Sequence, residues 1–272
     1  MTQPTSATDA THAFLGLEVD VAAKSGWFTV KDALLNPTGT LFGGAGVAAS
    51  VALMEAITER RAQWTTLQFV TTPARGDRVD CAVDVVAHGG RMSQLRVRAS
   101  SGGAEVFSAI GATGVDRDDV TVSFDQMAVV PPPEDCPPAE FGRFSPEETA
   151  HSYFGAIDRR EAGGPDALRG SASHAALWVR VPGMQVTTPM LGYFGDVAAF
   201  GVFRALGRPL GRATSVDNTL RLGPMQETEW VLLDLRSQFV AGGYAHATVD
   251  MWSRDGALLG LMSQTVALRT AV

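Results

Sequence analysis

The stretch LFGGAGVAASVALMEAITERR, residues 41–61, decides the fold. Its apolar residues recur at the spacing of one helix face, and glycine and alanine line the first turns. Small side chains let a second layer approach the helix backbone closely. The pattern predicts a long central helix that lies against a curved antiparallel sheet, although an ordinary amphipathic core helix would show the same periodicity.

A dinucleotide-binding turn is one alternative for this stretch, because residues 44–49 match the pattern G-x-G-x-x-A. Such a turn requires a buried strand before it and an acidic residue about 20 positions later. The preceding segment instead contains Pro37 and Gly39, and residues 63–65 carry no acid. The sequence therefore argues against a nucleotide site.

The composition is that of an ordinary globular protein. The 272 residues can form one large domain or two of roughly 100–150 residues each. A net charge of −7 without a long basic run argues against a nucleic-acid partner. Cys81 and Cys136 show neither a disulfide framework nor metal-ligand spacing, so we expect no metal, no cofactor and a cytoplasmic location. No apolar run reaches about 18 residues, so we expect no membrane partner.

Strand-like alternation surrounds the predicted helix, and glycine turns link the strands into an antiparallel meander. A proline-rich segment then interrupts the rhythm, and its aromatic residues predict that it packs on a surface. After it the pattern repeats. The sequence therefore predicts an N-terminal unit at residues 13–116, a connection at residues 117–170 with one short helix capped by Ser145, and a C-terminal unit at residues 171–272.

Landmarks of the first unit recur in the second at nearly fixed offsets. Gly44 and Pro73 have counterparts 151 residues later in Gly195 and Pro224, and two glycine turns have counterparts 153 residues later. The register indicates a diverged duplication. It places the start of a second central helix at Gly195, where Asp196 is interpreted as an N-terminal acid that the helix dipole favours.

The overlay of the two units exposes an asymmetry. Asp217 lies opposite Thr66 at the offset of 151, and Gln264 lies opposite Gly111 at the offset of 153. A carboxylate and an amide within apolar, strand-like segments are costly to bury without partners. Both are therefore candidates for function, although both could equally face solvent from the outer side of their strands.

At these positions the chain resembles the acyl-CoA thioesterase II (TesB-like) family of double-hotdog thioesterases, over residues 14–269. The landmarks are F-G-G at 42–44, L-G-Y-F-G-D at 191–196, S-x-D at 215–217 and the D-G at 255–256 that precedes Gln264. The resemblance implies an α+β fold, the double hotdog, in which two curved antiparallel sheets join side by side and carry two central helices. It also implies assembly into a homo-oligomer.

The resemblance further implies hydrolysis of acyl-CoA to a free fatty acid and CoA. In that family an aspartate, a glutamine and a Thr or Ser hydroxyl hold the attacking water, and these positions match Asp217, Gln264 and Gln238. Gln238 departs from the family's hydroxyl. Asn218 also departs from the pattern, because many relatives have His after the aspartate.

Elementary chemistry supports the same roles. Thioester hydrolysis needs a base near water, a group that orients this water, and donors where the oxyanion forms. Asp217 could be the base and Gln264 the orienting amide, while Gly44 or Gly195 would supply backbone N–H groups at a helix start. The sequence contains no G-x-S-x-G elbow for a serine nucleophile, and the five histidines show no ligand spacing.

Two classes of function stay open. One is a thioesterase with one active site per chain, in the C-terminal unit. The other is a hotdog protein that binds acyl thioesters, or another small ligand, without hydrolysing them. An (R)-specific enoyl-CoA hydratase is disfavoured, because Asn218 comes too early after Asp217 for its Asp-x-Asn…His signature and no His follows nearby.

Overall fold

The strands of this chain form a 12-stranded antiparallel sheet. The computed structural model describes residues 6–117, 120–139, 144–163, 173–207 and 212–269. The helices are α1 (Ala7–Leu15), α2 (Gly43–Thr58), α3 (Pro146–Ala150), α4 (Tyr153–Ala156), α5 (Thr188–Gly195) and α6 (Ala198–Ala205), with 3-10 turns at Asp32–Leu34 and Pro133–Asp135. The strands are β1 (Glu18–Asp20), β2 (Ser25–Thr29), β3 (Arg61–Phe69), β4 (Arg78–His88), β5 (Met92–Ser101), β6 (Ala104–Gly114), β7 (Asp158–Gly163), β8 (His174–Arg180), β9 (Arg212–Leu222), β10 (Val231–Ala241), β11 (Tyr244–Ser253) and β12 (Leu258–Arg269).

The two halves of the chain contribute the two halves of the sheet. The strand order is β1-β2-β4-β5-β6-β3-β9-β12-β11-β10-β8-β7, so β3 and β9 form the join. Across it Thr66 pairs with Thr219 and Gln68 with Asp217. The offset of 151 relates these pairs to each other, since it takes 66 to 217 and 68 to 219. The join therefore has approximate two-fold symmetry, as expected for two hotdog sheets that meet side by side.

Helix α2 is the predicted central helix, and its first turns are buried on every side. All residues from Gly44 to Met54 are buried, because the sheet covers one side and α5 covers another. A side chain at Gly44 would lie 2.5 Å from the backbone oxygen of Tyr193, and a side chain at Gly46 would lie 3.1 Å from the Phe107 ring. The small residues thus permit the close approach that the sequence predicts.

The central helix of the second half differs from the expectation, because it is broken. Helix α5 begins at Thr188, ends at Gly195, and is followed by α6 from Ala198. A side chain at Gly195 would meet Met262 Sδ at 2.7 Å, so the end of this methionine would have to move. The Val197 N–H donates back to the Gly195 oxygen at 2.8 Å. The prediction of a helix start at Gly195 is therefore wrong.

The proline-rich connection packs on the sheet of the second half. Trp178, Trp230 and Trp252 form a buried apolar cluster with Cys136. Trp178 Nε1 donates to the backbone oxygen of Pro131 at 2.9 Å, which ties the connection to β8. The connection is therefore part of the packed fold, as its aromatic content predicts.

The described part of the predicted connection contains the 3-10 turn, the short helices α3 and α4, and a strand. Ser145 caps α3 through a reciprocal capping box with Glu148, which confirms the predicted short helix. Strand β7 also lies there and pairs with β8 from Asp158 opposite Arg180. The second half of the sheet consequently begins at Asp158 rather than at residue 171.

Candidate active site

The break between α5 and α6 places Asp196 in the interior. This residue ends α5, and its exposed fraction is 8%. A side chain at Gly43, in the first turn of α2, would lie 2.5 Å from Asp196 Oδ2. Because Asp196 is the C-cap of α5, its interpretation as the N-terminal acid of a central helix is wrong. A carboxyl group this deeply buried requires polar partners.

Four groups donate hydrogen bonds to the Asp196 carboxylate. Gln264 Nε2 donates to Oδ1. Asn218 Nδ2 and Ser215 Oγ donate to the same oxygen at 3.4 Å each. The fourth donor is the backbone N–H of Gly44 in α2. Donors from β12, β9 and α2 therefore converge on one carboxylate, so both halves of the chain build the site. We call Asp196, Ser215, Asn218 and Gln264 the Asp196 cluster.

The orientation of the Gln264 amide is fixed by its own contacts. Its Oε1 accepts the backbone N–H of Ala198 at 3.2 Å, which leaves the amide NH₂ to face the cluster. Its Nε2 also donates to Ser215 Oγ at 2.8 Å. Gln264 thus connects the start of α6 to β9 and directs a donor at Asp196.

Burial controls the protonation of Asp196. It raises the pKa of this carboxyl group to about 6, while the hydrogen bonds from Gln264, Gly44, Asn218 and Ser215 act in the opposite direction. A carboxylate with a pKa near neutral is suited to accept a proton during a reaction. Gly43 and Ser215 remain partly exposed beside it, so the carboxyl group is not sealed from solvent on this side.

A β-bulge explains how β9 supplies two donors. The pairing of β9 with β12 shifts by one residue, which leaves Val216 without a partner. Strand residues three positions apart normally face opposite sides of a sheet. The extra residue reverses this alternation, so that Ser215 and Asn218 both reach Asp196.

The structure does not bring Asp217 to Gln264. Asp217 Oδ1 accepts the backbone N–H of Thr265 at 2.9 Å, and the residue is half-buried. Its neighbour Asn218 is fully buried and takes the inward position. Of the predicted pair, Gln264 lies in the cluster, whereas Asp217 points away from it because of the bulge.

Gln238 also lies outside the cluster. It is exposed at a second bulge, in β10, and its Nε2 donates to Thr248 Oγ1 at 2.7 Å. The neighbouring Ser237 Oγ is buried without a hydrogen-bond partner among the described residues, close to Gly201 of α6. The hydroxyl group on the inner face of β10 is therefore that of Ser237.

The two glycines predicted as oxyanion donors have different surroundings. Gly44 lies in the first turn of α2, as predicted, but its N–H donates to Asp196. Gly195 is the last residue of α5, so its N–H belongs to the interior of a helix. Gly43 is the first residue of α2, where N–H groups have no partner within the helix. Its N–H is therefore a first-turn donor that the helix itself leaves unpaired.

Two cavities lie along the central helices. A cavity of about 480 Å³ lies at the far end of α2, where Glu55 Oε1 accepts hydrogen bonds from Thr188 Oγ1 at 2.5 Å and from Ala62 N at 2.8 Å. It does not include Asp196. A narrower cavity borders the break between α5 and α6 through Val197. Aromatic rings line much of it, namely those of Tyr153, Phe154, Tyr193, Phe194 and Phe200.

No group of three or more His, Cys, Asp or Glu side chains in the described ranges could hold a metal ion. Over the same ranges, each helix is too short or too polar to cross a membrane. The site is thus built from a carboxylate, two amides, a hydroxyl group and main-chain N–H groups.

Comparisons with known proteins identify two domains of one family in this chain. Residues 33–114 match the acyl-CoA thioesterase N-terminal domain, and residues 133–268 match the acyl-CoA thioesterase C-terminal domain. A search of curated proteins found no match.

Three solved structures are similar over almost the whole chain. A candidate thioesterase from Novosphingobium aromaticivorans DSM 12444 is 28% identical, with a TM-score of 0.85 over 93% of this chain and 98% of that one. A protein of unknown function with a hot dog fold from Alicyclobacillus acidocaldarius is 21% identical, with a TM-score of 0.80 over 97% and 99%. Acyl-CoA thioesterase II TesB2 from Mycobacterium marinum is 19% identical, with a TM-score of 0.76 over 96% and 98%. The fold is therefore the double hotdog.

Proposed function

Since the chain belongs to the acyl-CoA thioesterase family, we propose that it hydrolyses an acyl-CoA thioester to a free carboxylic acid and CoA at the Asp196 cluster. The observation that carries the proposal is a buried carboxyl group with a pKa of about 6, held by four donors beside the first turn of α2. In this proposal Asp196 takes the role of base that the sequence assigned to Asp217, and Gln264 keeps its predicted role.

The reaction needs one proton acceptor and one site for an oxyanion. Asp196 takes a proton from water while the water oxygen bonds to the thioester carbon and the carbonyl oxygen becomes negative. The tetrahedral intermediate then collapses and its C–S bond breaks. The departing thiolate takes the proton back from Asp196, which leaves the acid, CoA and the original carboxylate.

The geometry favours Asp196 Oδ2 as the oxygen that accepts the proton from water. The three side-chain donors all contact Oδ1, while Oδ2 faces Gly43. No side chain separates Oδ2 from the partly exposed Gly43, and the proposal places the attacking water on this side of the carboxylate. The N-terminal end of α2 carries a partial positive charge, and this charge stabilises the oxyanion.

Gln264 positions the base rather than reacting itself. Its amide donates to the ionised form of Asp196 and thereby keeps the pKa of that carboxyl group from rising further. It also holds Ser215, so that three members of the cluster form one network. Loss of this amide would both reorient Asp196 and favour its protonated form.

Release of free CoA is the direct test. Short-, medium- and long-chain acyl-CoAs are offered to the wild type and to Asp196→Asn, and the free thiol is measured. We expect the wild type to hydrolyse at least one chain length much faster than the variant does. If the wild type is no faster than Asp196→Asn on every substrate, the proposal fails and a protein that only binds acyl thioesters is favoured.

The pH dependence of kcat/KM should follow the ionisation of the Asp196 carboxyl group. We expect kcat/KM to fall about tenfold per pH unit below pH about 6, because protonated Asp196 cannot accept a proton from water. Gln264→Ala should move this decline to higher pH, since it removes a donor to the ionised form. A decline that begins near pH 4 in the wild type, or one that Gln264→Ala leaves in place, would contradict the assignment.

The titration of Asp196 also changes the stability of the fold, but this effect cannot produce the same decline in kcat/KM. Its pKa in the folded state lies above its ordinary value of 3.8. The contribution of Asp196 to stability is therefore fully present below pH about 4 and is lost as pH rises through about 6. The activity and this contribution thus change in opposite directions, and urea unfolding at each pH separates them.

Gln238→Thr tests the residue that the sequence placed in the site. We expect kcat and KM to change by less than about twofold, because exposed substitutions away from special features have small effects. The measurement uses the same CoA-release assay, with Thr248→Ser as a companion variant at the hydrogen-bond partner. A tenfold gain in kcat would instead show that a hydroxyl group at position 238 takes part in the chemistry.

A further inference from the structure

The proline-rich connection places Tyr153 beside the candidate active site. Tyr153 begins α4, and its backbone N–H donates to the Leu35 oxygen at 2.7 Å. Its ring stacks on Phe42 with centroids 4.0 Å apart and planes 1° from parallel. Because Phe42 is the residue before Gly43, the stack fixes Tyr153 beside the first turn of α2.

The phenol group of Tyr153 lies within electrostatic reach of Asp196. Burial raises the pKa of Tyr153 far above its ordinary value, and the charge of Asp196 raises it further. The phenol therefore stays a neutral O–H donor across the working pH range. Tyr153 also lines the narrow cavity whose wall includes Val197, the residue after Asp196.

The hydroxyl group of Tyr153 is available for a ligand. It makes no hydrogen bond with any residue in the described part of the chain. Tyr193, whose ring lies in the same cavity wall, differs in this respect because its hydroxyl donates to the Ala33 oxygen at 2.6 Å. Tyr153 is half-buried, and its hydroxyl group is left to pair with a ligand or water.

The proposed reaction needs more oxyanion donors than α2 can give. The Gly44 N–H donates to Asp196, and the Ala45 N–H donates to the Phe42 oxygen at 3.0 Å. Of these first-turn groups the Gly43 N–H alone remains for the carbonyl oxygen. Oxyanion sites in acyl transfer generally combine two or more donors.

We propose that Tyr153 is a further catalytic residue, whose phenol O–H donates a hydrogen bond to the thioester carbonyl oxygen as that oxygen becomes negative. The inference rests on the proposed function. With it, the oxyanion is held between the Gly43 N–H from the first half of the chain and a phenol from the connection.

Tyr153→Phe removes the hydroxyl group and keeps the ring that stacks on Phe42. We expect kcat to fall about 10²-fold, the effect of losing one oxyanion donor, with KM nearly unchanged. The decline of the pH profile near 6 should stay in place, because the donor is neutral. Tyr244→Phe makes the same chemical change at an exposed residue of β11 and should leave kcat unchanged.

A second measurement keeps the test independent of turnover. A trifluoromethyl ketone analogue of acyl-CoA forms a hydrate that imitates the tetrahedral intermediate, and analogues of this kind bind through transition-state contacts. We expect Tyr153→Phe to weaken its binding by about the same factor as kcat. Thermal unfolding of the variant shows whether the fold is retained.

The outcomes separate this inference from the proposed function. If the wild type hydrolyses acyl-CoA and Asp196→Asn is slow, but Tyr153→Phe keeps kcat and analogue binding within threefold, the role of Tyr153 is overturned and the proposed function stands. A loss of kcat with a shift of the pH profile also overturns it, since Tyr153 would then act through Asp196. A wild type without hydrolytic activity overturns both.

Discussion

Asp196→Asn is expected to lower kcat by about 10²–10⁴-fold, the range for the loss of a positioned base. The amide has nearly the shape of the carboxylate and can still accept hydrogen bonds from Gln264 and Ser215. We therefore expect a small change in KM. Because the substitution removes a buried charge, the variant should remain folded at neutral pH. Steady-state kinetics by CoA release, with circular dichroism on the same samples, measures both quantities.

Asp217→Asn is the matched control. Asp217 lies on the same strand as Ser215, in the family's S-x-D position, but its carboxylate accepts the Thr265 N–H outside the cluster. The asparagine side chain can keep that bond, so kcat should stay within about threefold of the wild type. If Asp217→Asn is as slow as Asp196→Asn, the original assignment of the base from sequence is correct and ours is wrong.

Gly43→Ala should lower kcat by about 10²-fold without unfolding the protein. The new methyl group would lie 2.5 Å from Asp196 Oδ2 and 3.1 Å from the Phe69 ring, so the carboxylate must move. Displacement of a reacting group by about 1 Å can cost a factor of this size. Alanine is a better helix former than glycine, so α2 itself should persist. The experiment compares kcat, KM and the urea midpoint with those of the wild type.

Gly90→Ala is the companion control for this substitution. The space around a side chain at Gly90 is open within 4 Å, and its backbone is not left-handed. It should leave kcat, KM and the urea midpoint unchanged. Full activity in Gly43→Ala would place the reacting water elsewhere than beside Oδ2.

The fold was predictable because it depends on patterns that survive divergence. The glycine-lined start of α2, the period-two strands and the turns at fixed offsets are all local features of the sequence. They predict the two units and the central helix of the first half. The broken helix of the second half was not predictable, because the residues that pack around the break, such as Met262 on β12, lie far from it in the sequence. Contacts between distant segments leave no local signal.

The candidate site was only partly predictable for the same reason. Gln264 was found because an amide in an apolar strand is unusual and its counterpart is glycine. Asp217 is predicted from the family's aspartate position and from its place opposite Thr66, and neither gives a sign of the bulge at Val216. One extra residue exchanges the inward and outward positions of β9. The available signal for Asp196 was its place at the end of L-G-Y-F-G-D, which was interpreted as a helix cap.

The join of β3 and β9 has made the two copies of the duplicated unit complementary. The first half carries Ala45, Leu67 and Gly111 at the positions that correspond to three members of the Asp196 cluster. It contributes main-chain N–H groups from the start of α2, while the second copy contributes the side chains. Neither half can therefore assemble the proposed reaction centre alone. If the proposal holds, the two halves are an obligate pair with one reaction centre, where a symmetric pair would hold two.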